Sequence, residues 1–157
     1  MTRYRPNHAV LGSREQMCVH EKVKNASNST QVNFECGKLV KHRNCEFRNN
    51  LDSFRVEEID PESSALGIQP ILDMEDLVQM GQVKKICPYY YSRNAVNDAN
   101  IVFLPYNYIF DKDARNGTLG DINWNNSIVI FDEAHNLENF ASDSASFDLS
   151  SLDIAGK

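Results

Sequence analysis

Two short apolar runs in the second half of the chain indicate buried strands. Residues 100–104 and residues 127–131 are apolar at nearly every position, and the second run leads directly into Asp132. Runs without polar alternation are typical of strands covered on both faces, as in a parallel sheet. A third short strand is predicted at residues 8–13, and a helix is predicted over residues 106–115. The pattern therefore predicts an α/β core.

The segment after the first strand is predicted to begin as a helix. Ser13 followed by Gln16 matches a capping box, which places a helix start at residue 14 and allows it to continue toward residue 24. Residues 25–31 are all small or polar and predict a loop. Residues 32–48 have a mixed, short-range pattern that defines no single element.

Two further helices are predicted before the second strand. Apolar residues at helical spacing indicate a helix over residues 73–80, with Gly81 as its C-cap. Proline fits the first turn of the helix predicted over residues 88–96. The acidic stretch 52–70 is expected to be a mobile surface connection. The whole pattern describes an α/β core interrupted by a mostly helical insert at about residues 15–95.

Charge is distributed unevenly between the two parts of the chain. The 157 residues carry a net charge of -6, but residues 1–55 hold ten Lys and Arg against five Asp and Glu, so the remainder is strongly acidic. A basic part suits a polyanion such as nucleic acid, although two solvated faces would give the same balance. Phe34, Phe47 and Phe54 lie among the basic residues, where they suit either base stacking or a small core.

Composition narrows the class of protein further. At 41% hydrophobic and 24% charged residues, the chain has the composition of a globular domain. No apolar run approaches the roughly 20 residues that span a bilayer. The basic N-terminus is followed by no apolar segment of a signal peptide. We therefore expect a soluble, intracellular protein that does not contact a membrane.

The most informative segment is the Asp132-Glu133-Ala134-His135 tetrapeptide at the end of the second apolar run. Open α/β sheets bind ligands at the carboxyl ends of their strands. There Asp132 would hold the Mg²⁺ of a bound nucleotide, Glu133 would orient the attacking water, and His135 would sense the γ-phosphate. An Asp-Glu pair alone also suits the first turn of a helix. The complete tetrapeptide after four apolar residues is the Walker B signature of superfamily 2 helicases.

Four cysteines form the second candidate site. Cys18, Cys36, Cys45 and Cys87 are separated by 17, 8 and 41 residues, without any C-x-x-C pair. Four thiolates can bind one zinc ion or one [4Fe-4S] cluster. They can also form two disulfides, which four glycosylation sequons superficially favour, or be unrelated buried thiols.

These motifs, in this order, resemble those of the XPD-type iron-sulfur DNA helicases. The resemblance covers nearly the whole chain and rests on six features: Leu11 to Cys18, Cys36, Cys45, Cys87-Pro88-Tyr89-Tyr90, Pro105 to Tyr108, and the D-E-A-H box. It implies a partial RecA-like motor domain of the P-loop NTPase class, with a parallel sheet, interrupted by an iron-sulfur domain. Further details, such as residues 70–77 and 144–149, are more similar to the telomere-maintenance branch than to the FANCJ-type repair branch.

The resemblance also assigns residues to roles. It implies that Cys18, Cys36, Cys45 and Cys87 ligate a [4Fe-4S] cluster. It further implies that Arg14, Tyr89, Tyr90 and Arg93 contact DNA, with tyrosine rings stacking on bases and arginines holding phosphates. Helix packing is the alternative for Tyr89, Tyr90 and Tyr91, and one of the three is expected to face the core in either case.

The domains implied by the resemblance follow the motifs. Residues 1–14 would belong to the motor domain, 15–95 to the iron-sulfur domain, 96–148 to the motor domain with its Walker B box, and 149–157 to the start of an arch-domain insertion. The parent protein would couple hydrolysis of Mg-ATP to 5′→3′ movement on single-stranded DNA and at duplex junctions, in the nucleus, for telomere maintenance, DNA repair and recombination control. The protein partners are not indicated.

The sequence lacks one component of such a motor. It contains no G-x-x-x-x-G-K-[ST] loop, which supplies the backbone cradle and the lysine for phosphates. We therefore expect this chain alone not to hydrolyse ATP. Two other classes of protein stay open from the residues themselves: a non-enzymatic zinc module that binds nucleic acid, and a secreted disulfide-bonded glycoprotein.

Overall fold

The structure is a computed structural model that describes residues 6–55, 71–111, 115, 119, 122 and 124–146. Its contacts divide the chain into two compact units, residues 1–104 and residues 105–157, which are described separately. The first unit contains, in chain order, β1 (His8–Val10), α1 (Arg14–Met17), α2 (Glu21–Lys24), α3 (Ser29–Lys41), α4 (Glu46–Leu51), α5 (Met74–Lys84), α6 (Pro88–Ala95), a 3-10 turn (Val96–Asp98) and β2 (Ile101–Phe103). The second contains α7 (Asn107–Phe110), a 3-10 turn (Ala134–Asn136) and α8 (Leu137–Ala145).

The sheet of the first unit consists of β1 and β2, which pair in parallel with Ala9 opposite Val102. All the helices described in this unit lie in the connection between the two strands. The parallel arrangement expected of the sheet is confirmed for two predicted strands, the one at residues 8–13 and the apolar run at residues 100–104. The predicted burial of both faces is not, because Ile101 and Phe103 are 37% and 55% exposed. The fold class is thus a mixed, mainly helical chain with a small parallel sheet.

The helix predicted from residue 14 starts as expected. Ser13 Oγ accepts a hydrogen bond from Gln16 N at 3.2 Å, and Ser13 N donates to Gln16 Oε1 at 2.9 Å. This capping box gives hydrogen-bond partners to two backbone N–H groups at the helix start, those of Ser13 and Gln16. The helix does not continue to residue 24, because Cys18 is extended and a new turn, α2, starts at Glu21. The Ser13 side chain therefore sets the start of the helix, and Cys18 ends it after one turn.

The loop predicted over residues 25–31 is wrong in its last three residues, which begin α3. Asn28 Oδ1 accepts a hydrogen bond from Gln31 N at 2.9 Å, so a residue that favours loops acts here as an N-cap. The following residues keep a helical apolar face: Val32, Cys36, Leu39 and Val40 pack inward. Because a cysteine lies in the middle of this face, the helical spacing of its apolar residues is harder to recognise in the sequence.

The predicted C-cap at Gly81 is also wrong. Helix α5 continues through this glycine to Lys84 and ends at Lys85, whose backbone is left-handed with φ 56°. Gly81 is buried, and a Cβ atom there would lie 2.7 Å from Pro88 Cδ and 2.9 Å from the Ile86 carbonyl oxygen. The glycine is needed for the close approach of α5 and α6 rather than for ending a helix. Pro88 itself occupies the first turn of α6, as predicted.

The core of the first unit has two parts. The larger cluster joins α1, α4, α5 and α6 through Met17, Cys45, Phe47, Leu51, Leu77, Met80, Ile86, Cys87 and Tyr89. The smaller one joins α2 and α3 through Val23, Val32 and Cys36. Leu39 and Val40 pack against both, so the two parts are adjacent. Phe47 belongs to this core, which supports the packing interpretation for that phenylalanine.

The second unit is held by aromatic contacts. Phe110 stacks on Phe131 at 6.2 Å between ring centroids, and Tyr106 meets Phe140 edge-on at 5.3 Å. The strand predicted at residues 127–131 is not formed. Ile128 and Ile130 are 87% and 88% exposed, because within the described residues no second strand lies beside them to hydrogen-bond and cover them.

Other predictions fall partly outside the described residues. The helix predicted over residues 106–115 is formed only in its first part: α7 ends at Phe110 because the backbone of Asp111 is extended, and residues 112–114 are not described. Residues 56–70 of the acidic connection, the predicted arch-domain start at 149–157 and part of the motor-domain boundary near residue 148 are not described either. Among the helices in the described ranges, none has the length and apolar character needed to cross a bilayer.

Candidate metal centre and nucleic-acid interface

The four cysteines lie at element boundaries and in the middle of one helix. Cys18 follows α1, Cys36 lies within α3, and Cys45 and Cys87 are the residues immediately before α4 and α6. Cys45 and Cys87 belong to the larger apolar cluster, whereas Cys36 and the half-buried Cys18 belong to the smaller one. A hydrogen bond of 2.9 Å from Cys87 N to the Phe47 carbonyl ties two of the cysteine segments together. All four are free thiols, so the structure contains neither of the disulfides considered from the sequence.

The sulfur atoms influence one another electrostatically. Burial is the main cause that raises the pKa of Cys87 to about 11; a hydrogen bond from the Tyr90 backbone opposes the rise, and the nearby Cys45, Cys18 and Cys36 contribute to it. Burial also raises the pKa values of Cys18 and Cys36, which the positive charge of Arg14 partly offsets. Thiolates that repel one another in a buried region gain stability when a cation binds them.

The thiols do not form a completed metal site as they stand. In the part of the chain that the structure describes, no three His, Cys, Asp or Glu side chains are close enough to bind one ion together. The chemistry of the residues nevertheless fits a group bound by thiolates. The four cysteines lie in two adjacent apolar clusters, and the cationic Arg14 lies beside them. The Arg14 Nε atom supports this fit, because it is buried and has no hydrogen-bond partner among the described residues.

Three arginines surround two tyrosines next to these cysteines. The Cζ atoms of Arg93 and Arg14 lie 3.6 and 4.3 Å from the centroid of the Tyr89 ring. Arg48 Cζ lies 5.1 Å from the centroid of Tyr90, and the two tyrosine rings meet edge-on at 5.1 Å. These five residues are called the arginine-tyrosine cluster below. Guanidinium groups bind aromatic faces through the ring quadrupole, which holds three cations in one place.

The two tyrosines differ in accessibility. Tyr89 is only 6% exposed and has guanidinium groups over its ring, so it has no face for a nucleic-acid base. The predicted stacking of a base on Tyr89 is therefore not supported, whereas the expectation that one tyrosine of the triplet faces the core is confirmed. Tyr90 is half-buried and keeps part of its ring accessible. The DNA-contact roles predicted for Arg14, Arg93 and Tyr90 remain predictions.

Arg14 is held in place from several sides. Its Nη1 donates to Asn33 Oδ1 of α3 at 3.2 Å, and its guanidinium lies against both tyrosine rings. Burial lowers the pKa of Arg14, but a hydrogen bond to Tyr90 and the nearby tyrosines and Cys36 more than offset this, so the pKa is raised above its ordinary value. Arg14 is therefore a fixed positive charge that connects the cysteines with the tyrosines.

The sequence indicated only part of this arrangement. Arg48 was visible as one basic residue among many, and its position beside Tyr90 depends on the packing of α4 against α6. Asn33 and His20 carried no sequence signal. The backbone of His20 lowers the pKa of Cys18 through a hydrogen bond, and its Nδ1 is buried without a partner in the described part of the chain.

The D-E-A-H residues lie in the second unit. Glu133 has a left-handed backbone with φ 50°, and its N–H donates to Asp132 Oδ1 at 3.1 Å. Glu133 Oε2 lies 3.1 Å from His135 Nδ1, with both side chains about 70% exposed. Among the described residues no strand leads into these side chains, so the expected position at a strand end is not reproduced. The catalytic and Mg-ATP roles of Asp132, Glu133 and His135 stay predictions.

Comparison with known proteins identifies the class. The model of the DEAD_2 family matches residues 1–154. The chain belongs to this helicase family, which confirms the family predicted from the motifs, and the family implies binding of nucleic acid.

Three relatives show the extent of the similarity. The chain is 46% identical over 155 residues to "Regulator of telomere elongation helicase 1" of Rattus norvegicus, covering 98% of the chain and 11% of the relative. The human protein of the same name is 46% identical over 155 residues, with 98% and 12% covered. The "Regulator of telomere elongation helicase 1 homolog" of Oryza sativa subsp. japonica is 47% identical over 148 residues, with 94% and 14% covered. The chain thus spans 11–14% of the length of these curated relatives.

Proposed function

We propose that the chain is the iron-sulfur part of the first motor domain of an ATP-dependent DNA helicase that acts in telomere maintenance in the nucleus. Kinship with proteins named for the regulation of telomere elongation supports the biological role. One structural observation carries the biochemical role: the arginine-tyrosine cluster lies beside four cysteines whose thiols influence one another. Movement in the 5′→3′ direction, DNA repair and recombination control belong to the same proposal.

The metal part of the proposal assigns Cys18, Cys36, Cys45 and Cys87 as ligands of a [4Fe-4S] cluster. When bound, the cluster would supply covalent links between four segments and leave its sulfides as hydrogen-bond acceptors. Arg14 supports this assignment, because its guanidinium lies beside the cysteines and its Nε–H is a buried donor without a partner among the described residues. With a cluster bound, the four cysteines would join the segments of α1, α3, α4 and α6, and this would fix the arginine-tyrosine cluster.

A zinc ion is the second candidate, because four thiolates also form a tetrahedral zinc site. Iron and acid-labile sulfide in anaerobically purified protein, each near four per chain, would support the cluster. One equivalent of zinc in colourless protein would instead support a zinc module that binds nucleic acid.

The nucleic-acid part of the proposal assigns phosphate binding to Arg14 and Arg93 and base stacking to Tyr90. Guanidinium groups bind phosphate oxygens with two parallel hydrogen bonds, and aromatic rings stack on bases without sequence preference. The relevant ligand is single-stranded DNA, including the strand that emerges at a duplex junction. Tyr89 contributes by holding Arg14 and Arg93 rather than by touching a base.

Substituting Arg14→Gln is expected to weaken binding of the full chain to a labelled single-stranded oligonucleotide about tenfold, as expected for loss of a charge-assisted hydrogen bond. The dependence of affinity on salt is expected to become shallower by about 0.7 in log-log slope per lost phosphate contact. The matched control is Lys84→Gln, which removes the same charge from an exposed position on α5. Equal affinities of the two variants, at unchanged melting temperature, would remove Arg14 from the interface.

The purified 157-residue chain is expected not to hydrolyse ATP, because its sequence lacks the phosphate-binding glycine-lysine loop. Asp132 and Glu133 would then act only together with that loop. Release of inorganic phosphate from Mg-ATP is measured for the wild-type chain and for Glu133→Gln. Turnover by the wild type that the substitution abolishes would contradict this prediction and place a complete ATPase site in the chain.

A further inference from the structure

Arg48 of the arginine-tyrosine cluster has a carboxylate partner. It lies on α4, and its Nη1 forms an ion pair of 2.5 Å with Asp52 Oδ1, one helical turn further along the chain. The side chain of Arg48 is 30% exposed, and that of Asp52 is 72% exposed. The side chain of Arg48 is thus partly accessible, and its guanidinium already faces a carboxylate in the free protein.

The position of Arg48 places it at the accessible side of the cluster. Its Cζ atom is 5.1 Å from the centroid of Tyr90, and Arg14 Cζ lies 6.0 Å from the same centroid. Tyr90 is the less buried tyrosine of the pair, so Arg48 and Arg14 both contact the ring that keeps accessible surface. A strand whose base stacks on Tyr90 would bring its phosphate within reach of a guanidinium on this side.

We propose that Arg48 is a third phosphate-binding arginine and that Asp52 occupies its guanidinium until a nucleic-acid strand arrives. This inference rests on the proposed binding of single-stranded DNA. The Asp52 carboxylate presents an anionic oxygen acceptor to Arg48, as the non-bridging oxygens of a phosphodiester do. Binding therefore exchanges one anion for another on Arg48, and Asp52 turns toward solvent.

The exchange is feasible because the ion pair is weak where it stands. Pairs between exposed side chains one helical turn apart contribute little, since water screens them and holding two side chains costs entropy. A DNA strand that is also held by Arg14 and Arg93 presents its phosphate to Arg48 at high effective concentration. Asp52 consequently lowers the affinity for DNA only slightly, and it reduces the affinity for isolated anions that lack the other contacts.

The test compares four forms of the full chain for binding to fluorescein-labelled oligothymidylate by fluorescence anisotropy at several salt concentrations. Asp52→Asn is expected to bind about two- to threefold more tightly than the wild type, in line with loss of an exposed competing pair. Arg48→Gln is expected to bind more weakly, with a log-log salt slope shallower by about 0.7. The double variant is expected to behave like Arg48→Gln, because Asp52 acts only through Arg48.

The matched control is Glu46→Gln, which removes one negative charge from the same helix at an exposed residue outside the Arg48–Asp52 pair. Equal gains from Asp52→Asn and Glu46→Gln would overturn the proposal, because the effect would then be one of net charge. A gain from Asp52→Asn that persists without Arg48 would overturn it as well. Both results leave DNA binding by the chain intact, whereas absence of binding by the wild type would refute the proposed function together with this inference.

Discussion

Substituting Cys87→Ser is expected to remove iron from the protein and to unfold much of the first unit. Cys87 is buried, belongs to the larger apolar cluster and directly precedes α6, which carries Tyr89, Tyr90 and Arg93. Metal binding and folding are coupled in sites that are not preformed, so loss of one ligand costs folding free energy as well as metal. We expect bound iron to fall from about four per chain to near zero, and the cooperative thermal transition to be lost.

The measurement is iron and sulfide content together with circular dichroism during heating. The matched control is Met80→Leu, a volume-conserving change in the same apolar cluster that costs less than about 1.5 kcal/mol. It should retain wild-type iron content and a cooperative transition. A Cys87→Ser protein with wild-type iron content would exclude Cys87 as a ligand. Equal loss of iron and of the cooperative transition in both variants would indicate general destabilisation of the core.

Two glycine-to-alanine substitutions, one on α5 and one on α3, are expected to have opposite effects on stability. At Gly81 the new Cβ would meet Pro88 Cδ at 2.7 Å and the Ile86 carbonyl oxygen at 2.9 Å. Backbone and a proline ring cannot move aside cheaply, so overpacking should lower the free energy of unfolding by about 1–3 kcal/mol. At Gly37, within α3, a Cβ would meet nothing within 4 Å. There alanine should raise the free energy of unfolding by about 0.5–1 kcal/mol, through its lower chain entropy.

Urea denaturation of the two variants under identical metal loading provides the measurement. Because both substitutions are glycine to alanine within a helix, helix propensity cancels between them and the difference reports the contact with Pro88. Equal stabilisation of the two variants would show that α5 and α6 approach less closely than this packing requires.

The local signals in the sequence predicted the helix starts better than the helix ends. Ser13 with Gln16 and Pro88 each set a start through a group within one turn, and both starts agree with the structure. Gly81 failed as a C-cap, because its role is a contact with a residue that belongs to the next helix. The loop predicted over residues 25–31 includes Asn28, although the preference for local hydrogen bonds that favours loops also makes this residue a good N-cap.

The order of the motifs along the chain was enough to predict the family. It predicted only some of the residues that meet at the arginine-tyrosine cluster. Arg14 and Arg93 were singled out beside the cysteines, and the structure places both against Tyr89. Burial of Tyr89 and the position of Arg48 depend on how α4 and α6 pack, which no spacing along the chain encodes. The strand predicted at residues 127–131 is not formed among the described residues. The apolar pattern alone cannot decide this, since a strand requires a partner from elsewhere in the chain.

The pairing of β1 with β2 has a consequence for the order of folding. Asn7 N donates to Asn100 Oδ1 at 3.0 Å across 93 positions of sequence, and the strands beside them must meet across the same span. Closing so long a loop is entropically unfavourable until its interior is compact. We therefore expect the helical insert between the strands to collapse first and to bring the two strands together. The rate at which the insert folds would then set the rate at which the strands pair.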